Sequence, residues 1–172
     1  MRFDPERFDP DTVEPLLKHL ASGETLGALL DQSPEAQKVM YHLAYTHYAQ
    51  GKYTDAMRFF GFLVICDHWD RRYHMGMAAC LQMQLQHADA LKYYGIASML
   101  DLTDPAPVMH IAECHLARGE RPQARKALDY AIVQARAHAH HNHHVARLEA
   151  MLALLGSRDP EAAPKHSMEE RT

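Results

Sequence analysis

Residues 41–63 read YHLAYTHYAQGKYTDAMRFFGFL. The stretch holds a small Ala44, a break at Gly51-Lys52, and a second apolar run carrying Ala56, Phe60 and Leu63. The apolar positions return 34 residues later, and then once more. Ala44, Ala78 and Ala112 form one column, and Ala56, Ala90 and Ala124 another. Leu43, Met77 and Ile111 follow the same step, as do Phe60, Tyr94 and Leu128, and Leu63, Ala97 and Ala131. Five columns of small or large apolar character, in step without an insertion, mark one supersecondary unit stacked on copies of itself.

A 34-residue period with small residues at its eighth and twentieth places is the tetratricopeptide pattern, a helix–turn–helix unit. The repeats run at about 37–70, 71–104 and 105–138. The expected fold is all-α: three tetratricopeptide repeats forming a short curved solenoid, with N-terminal helices and a C-terminal capping helix. Ala44, Ala78 and Ala112 let the two helices of a repeat approach closely, and Ala56, Ala90 and Ala124 let the second helix meet the next repeat. Phe60 and Tyr94 fill the space between helices. Gly51 and Gly119 fall at the turns, where a left-handed residue ends a helix cheaply. Leu85 holds the equivalent place in the second repeat, so that turn must close without glycine. Asp104-Pro105 and Pro107 open the third repeat.

Ahead of the repeats, Asp9 to Leu20 and Thr25 to Leu30 read as helices, and Ser33 as an N-cap before Pro34. Val145 to Leu155 carries enough apolar residues to cover the last repeat, as a solenoid end requires. A single domain over 1–155 and a disordered tail over 156–172 follow from these boundaries.

Composition narrows the function. The 172 residues are 47% hydrophobic and 23% charged, a globular balance, and the formal charge is −4. An acidic balance without a basic stripe argues against a nucleic-acid partner. No apolar run is long enough for direct membrane insertion. Met1-Arg2-Phe3-Asp4-Pro5 shows no basic segment followed by an apolar one, so a cytoplasmic location is expected. Cys66, Cys80 and Cys114 form no C-x-x-C pair and read as reduced core residues.

In such repeats the first helix lines the inner wall, with places 5, 9 and 12 pointing into the groove. These are Tyr41, Tyr45 and Tyr48 in the first repeat, and Met75, Ala79 and Gln82 in the second, with Arg72 one turn earlier. The third repeat supplies Met109, Glu113 and Leu116. Tyrosine offers a broad apolar face with a polar tip, and methionine adapts to irregular partners. The wall suits an extended peptide with apolar anchors, or else the chain's own N-terminal helices folded back onto it. Three anchors at ~1.5–3 kcal/mol give roughly 5–9 kcal/mol gross. Ordering an extended segment costs ~2–5 kcal/mol or more, so a short peptide binds around micromolar or weaker.

Ser22-Gly23-Glu24-Thr25-Leu26, Tyr41-His42-Leu43-Ala44-Tyr45 and Tyr48-Ala49-Gln50-Gly51-Lys52-Tyr53-Thr54-Asp55-Ala56 resemble the class II chaperones of bacterial type III secretion systems. These are the SycD/LcrH-like chaperones of translocator proteins. The likeness continues through Cys66-Asp67-His68-Trp69-Asp70, Gly76-Met77-Ala78-Ala79-Cys80 and Ala112-Glu113-Cys114, over about residues 15–135. It implies a bacterial cytoplasmic, non-enzymatic chaperone with no cofactor, holding a segment of a secreted translocator extended in the groove. It also implies a homodimer formed through the N-terminal region. Leu85, the Pro105–Met109 stretch and the histidine tract depart from the family pattern. The alternative is a scaffold or regulatory adaptor whose groove joins two protein partners.

Fourteen histidines would move the formal charge from −4 to +10 if all were protonated. His138, His140, His141, His143 and His144 lie together, and on an α-helix His140 and His144 could share a metal. The stretch brings no cysteine and no acid before Glu149, so no metal site is expected. His110, Glu113 and His115 give H-x-x-E-x-H rather than the metalloprotease order, and no phosphate loop or nucleophile elbow occurs. No catalytic residue is assigned.

Overall fold

The computed structural model describes residues 33–156 together with Lys18, Ser22, Thr25 and Gly27. The expected helices over Asp9–Leu20 and Thr25–Leu30 and the tail beyond Gly156 fall on residues outside that set, apart from these four. Among the described residues the chain forms helices only. They are α1 (Pro34–Ala49), α2 (Tyr53–Cys66), α3 (Arg71–Met83), α4 (His87–Leu100), α5 (Ala106–Ala117), α6 (Arg121–Ala137), a 3₁₀ turn over Ala139–His144, and α7 (Val145–Gly156). The chain divides into two compact units, 1–102 and 103–172.

Local chemistry sets the helix ends. The Ser33 hydroxyl accepts the Ala36 N–H at 3.2 Å with Pro34 in the first turn. Asp70 caps α3 through the Arg72 N–H at 2.9 Å, and Asp104 opens α5 through the Ala106 N–H at 2.9 Å. The Cys66-Asp67-His68-Trp69-Asp70 segment is the α2–α3 connection. There Asp67 accepts the Trp69 N–H at 3.0 Å, and the His68 carbonyl meets His74 Nε2 at 2.9 Å.

The three hairpin turns share one hydrogen-bond pattern. Gly51, Leu85 and Gly119 bond back to Tyr48, Gln82 and Leu116, while Lys52, Gln86 and Glu120 reach His47, Leu81 and His115. This pair of bonds is the Schellman ending, which needs a left-handed residue. Gly51 and Gly119 supply it at φ 74° and 76°, and Leu85 is forced to φ 61°. A leucine held there costs ~1–2 kcal/mol, whereas glycine gives up ~0.5–1 kcal/mol more chain entropy on folding. The Leu85 side chain is 78% exposed, so little packing is lost by removing it. Leu85→Gly is therefore expected to stabilise the protein by about 0.5–1 kcal/mol in a urea titration.

Four of the five repeat columns are sealed in the core. Ala44, Ala78, Ala112, Ala56, Ala90 and Ala124 have no exposed surface, and Phe60, Tyr94, Leu63 and Leu128 are at most 2% exposed. In the first unit Phe60 and Leu63 of α2 pack with Ala44 of α1 and Tyr73 and Cys80 of α3. In the second unit Val108, Met109 and Ala112 of α5 join Leu128, Ala131 and Ile132 of α6, and Leu148 and Leu155 of α7 close the cluster. The expected capping helix is thus α7. The three cysteines are buried and unpaired. Burial pushes the Cys80 and Cys114 thiols up to about 11, which makes them inert core groups at neutral pH.

Candidate functional site

In the first unit the one-turn spacing of Tyr41, Tyr45 and Tyr48 puts all three on one side of α1. Their environments differ. Tyr45 is 58% exposed. Tyr41 and Tyr48 are half-buried and lean on the core: Tyr41 meets the Phe60 ring at 6.0 Å and the Tyr73 ring at 5.9 Å, and Tyr48 meets Tyr53 at 5.5 Å. Burial, with Cys80 close by, raises the Tyr48 phenol above its ordinary pKa.

Arg72 reaches over this surface from the first turn of α3. Its guanidinium lies 5.5 Å from the Tyr41 ring centre and 5.9 Å from that of Tyr73. Asp70 holds it from the other side, accepting from Arg72 Nε at 3.0 and 3.1 Å and from Nη2 at 2.5 Å. Burial alone would raise the Asp70 carboxyl, but the hydrogen bonds and charge of Arg72 outweigh it and hold it below the usual range. The Arg72 side chain remains 62% exposed. It is a cation fixed on an aromatic platform, with part of its fork open to a partner's carbonyl or carboxylate. Tyr41, Arg72, Asp70, Tyr73, Lys38 and Thr25 are among the residues lining a depression of about 700 Å³. A smaller one of about 540 Å³ lies among Met40, His47, Phe59 and Phe62.

The rest of the expected wall is uneven. Met75, Ala79 and Gln82 of α3 are half-exposed. The Gln82 side-chain oxygen accepts the Tyr94 hydroxyl at 2.7 Å, which orients that amide. In the second unit Leu116 packs partly against the core, and Glu113 is engaged by Arg147 at 2.7 Å and by His110 at 2.9 Å. Met109 corrects the expectation from sequence: it is 3% exposed inside the α5–α6–α7 cluster and is a packing residue there. The cause is packing: Met109 lies in one buried cluster with Leu128 and Ile132 of α6 and Leu148 of α7, and Pro107 and Val108 beside it are buried too. Sequence reasoning passes over Asp70 as Arg72's anchor and gives Tyr73 no part in the wall, because a clasp of this kind depends on rotamers rather than spacing.

His115 turns away from Glu113 and pairs with Glu120 at 2.6 Å. Hydrogen bonds from Arg118 and His115 hold the Glu120 carboxyl down at about 2.

The tetratricopeptide-repeat family profile matches residues 39–70. The low calcium response locus protein H of Yersinia pestis is 35% identical over 109 residues, 63% of this chain and 65% of that protein. The chain thus matches just under two thirds of that relative's length. The type III secretion translocator chaperone SycD of Yersinia enterocolitica superposes with a TM-score of 0.72 at 31% identity, over 76% of this chain and 97% of SycD. The chain belongs to the type III secretion translocator chaperones. A further chaperone of this group, PcrH, in complex with the chaperone binding region of PopD, superposes with a TM-score of 0.70 at 33% identity, over 73% of this chain and 95% of PcrH. In this translocator chaperone no described helix is long and apolar enough to cross a membrane.

Proposed function

We propose that this chain is a bacterial cytoplasmic chaperone, without enzymatic activity, that binds a hydrophobic translocator of a type III secretion system. It holds an extended client segment against the first helices of its repeats and keeps the client soluble and competent for secretion. The observation that carries the reading is the Tyr41–Arg72–Tyr73 clasp opening onto a depression of about 700 Å³, with Tyr45 exposed on the same helix. Apolar client side chains would seat on the tyrosine rings, and client backbone carbonyls would meet the Arg72 fork. PcrH in complex with the chaperone binding region of PopD supports the reading by kinship. Homodimerisation through the N-terminal region belongs to the same proposal, as does a single chaperone domain over 1–155.

Co-expression with a translocator of the same secretion system tests it. Tyr45→Ala/Arg72→Ala is the informative variant, because Tyr41 and Tyr48 also support the core. Losing one aromatic anchor and one charged contact is expected to weaken client capture roughly tenfold or more. The circular dichroism spectrum should stay unchanged. Equal yields of soluble client with parent and variant would place the binding surface elsewhere.

A further inference from the structure

The histidine tract does not take the α-helical winding that would pair His140 with His144. Ala139–His144 is a 3₁₀ turn between α6 and α7. Its three-residue period aligns residues three apart, so His141 rather than His140 shares a side with His144. Their ring centres lie 6.0 Å apart, and both are half-buried, while His140 and His143 are exposed.

Asp104 meets them from the entry to α5. It is 6% exposed, and one oxygen is fixed by the Ala106 N–H. One ligand atom from each of Asp104, His141 and His144 lies within 4.8 Å of the other two. Ligands around a tetrahedral zinc ion stand about 3.4 Å apart at metal bonds of about 2.1 Å, so small side-chain rotations bring the three into range. We propose that Asp104, His141 and His144 form a binding site for a first-row divalent transition metal, with zinc the best fit. Two imidazoles and one carboxylate suit zinc and its neighbours, whereas calcium and magnesium require oxygen-rich cages. The nearby cation, Arg147, is engaged by Glu113 at 2.7 Å. A bound ion would pin the start of α5 to the α6–α7 connection, fastening the capping helix to the last hairpin.

Protein purified without a polyhistidine tag or metal resin is titrated with zinc chloride by calorimetry, and its melting temperature is followed with and without zinc. The expected result is one ion per chain at micromolar affinity and a zinc-dependent rise in melting temperature. His141→Ala/His144→Ala should weaken binding roughly tenfold or more and abolish the thermal shift. Asp104→Asn keeps an oxygen for the Ala106 N–H while removing the anionic ligand, so it should weaken zinc binding with the helix cap intact. His140→Ala/His143→Ala is the control, with affinity unchanged. Loss of binding in the control equal to that in the paired variant would identify adventitious capture by the tract and overturn the site. So would full affinity in Asp104→Asn, several ions per chain, or no binding at micromolar zinc.

Discussion

Gly76→Ala will destabilise the first unit by about 2 kcal/mol, although glycine to alanine inside a helix ordinarily stabilises. Gly76 lies within α3, where alanine's higher helix propensity is worth ~1 kcal/mol. A methyl at this position, however, would overlap three carbons of the Phe60 ring. Phe60 is 2% exposed and has Tyr41 packed edge-on at 6.0 Å, so the ring has little room to turn. Overpacking of a closed core costs ~1–3 kcal/mol, and an overlap this deep belongs at the upper end. The steric clash therefore outweighs the gain in helix propensity. A double-mutant cycle separates the causes: in a Phe60→Leu background the ring is gone, and Gly76→Ala should become neutral or stabilising. Urea titrations of the four proteins should give a coupling of about 1–3 kcal/mol between the two sites. Additive costs would show that the α2–α3 packing is looser than the structure has it.

The same α2–α3 contact shows why the repeat is legible from sequence alone. Where two helices nearly touch, only small side chains fit. The alanine columns at 44, 78 and 112 and at 56, 90 and 124 record that constraint directly, and every member is fully buried. Leu43, Met77 and Ile111 keep the same period, yet Leu43 is 43% exposed and the other two are half-buried. One residue along a helix is a turn of about 100°, enough to carry a column off the contact. Period alone reports repetition, whereas the size of the residue reports contact. Leu85 stands out in the sequence as an exception, but only the backbone reveals that the turn keeps its left-handed geometry at leucine's expense. The wall proposed on α1 and α3 rests on side-chain direction read from helix spacing, and its residues there are exposed or half-buried. Spacing misleads at Met109, which joins the buried cluster of α6 and α7 although its helix keeps the register of the Ala112 column. In the histidine tract the winding is 3₁₀ rather than α, which spacing does not reveal, and the acidic member of the proposed site arrives from residue 104.

Leu148→Ala is the second large effect expected, at about 2–5 kcal/mol. Leu148 of α7 has no exposed surface, and with Leu155 it forms the buried part of that helix. Val145, Met151 and Leu152 pack partly against the same cluster, and the remaining ties are polar. Arg136 pairs with Glu149, Arg147 with Glu113 at 2.7 Å, and Arg121 donates to the Leu155 carbonyl at 2.7 Å. The arginines of the two ion pairs are 63% and 59% exposed, so each pair contributes no more than about 1 kcal/mol. Apolar contact with Leu128, Ile132 and Ala135 therefore decides whether the helix stays docked. Truncating Leu148 leaves a cavity against α6, and hydrogen exchange should quicken first over Arg121–Gly156 while α1–α3 keep their protection. Glu149→Gln is the matching control, expected to change stability by less than about 1 kcal/mol. If the charge variant proved the more damaging of the two, the α7 docking would rest on its ion pairs and the capping role assigned to the Val145–Leu155 apolar stripe would fall.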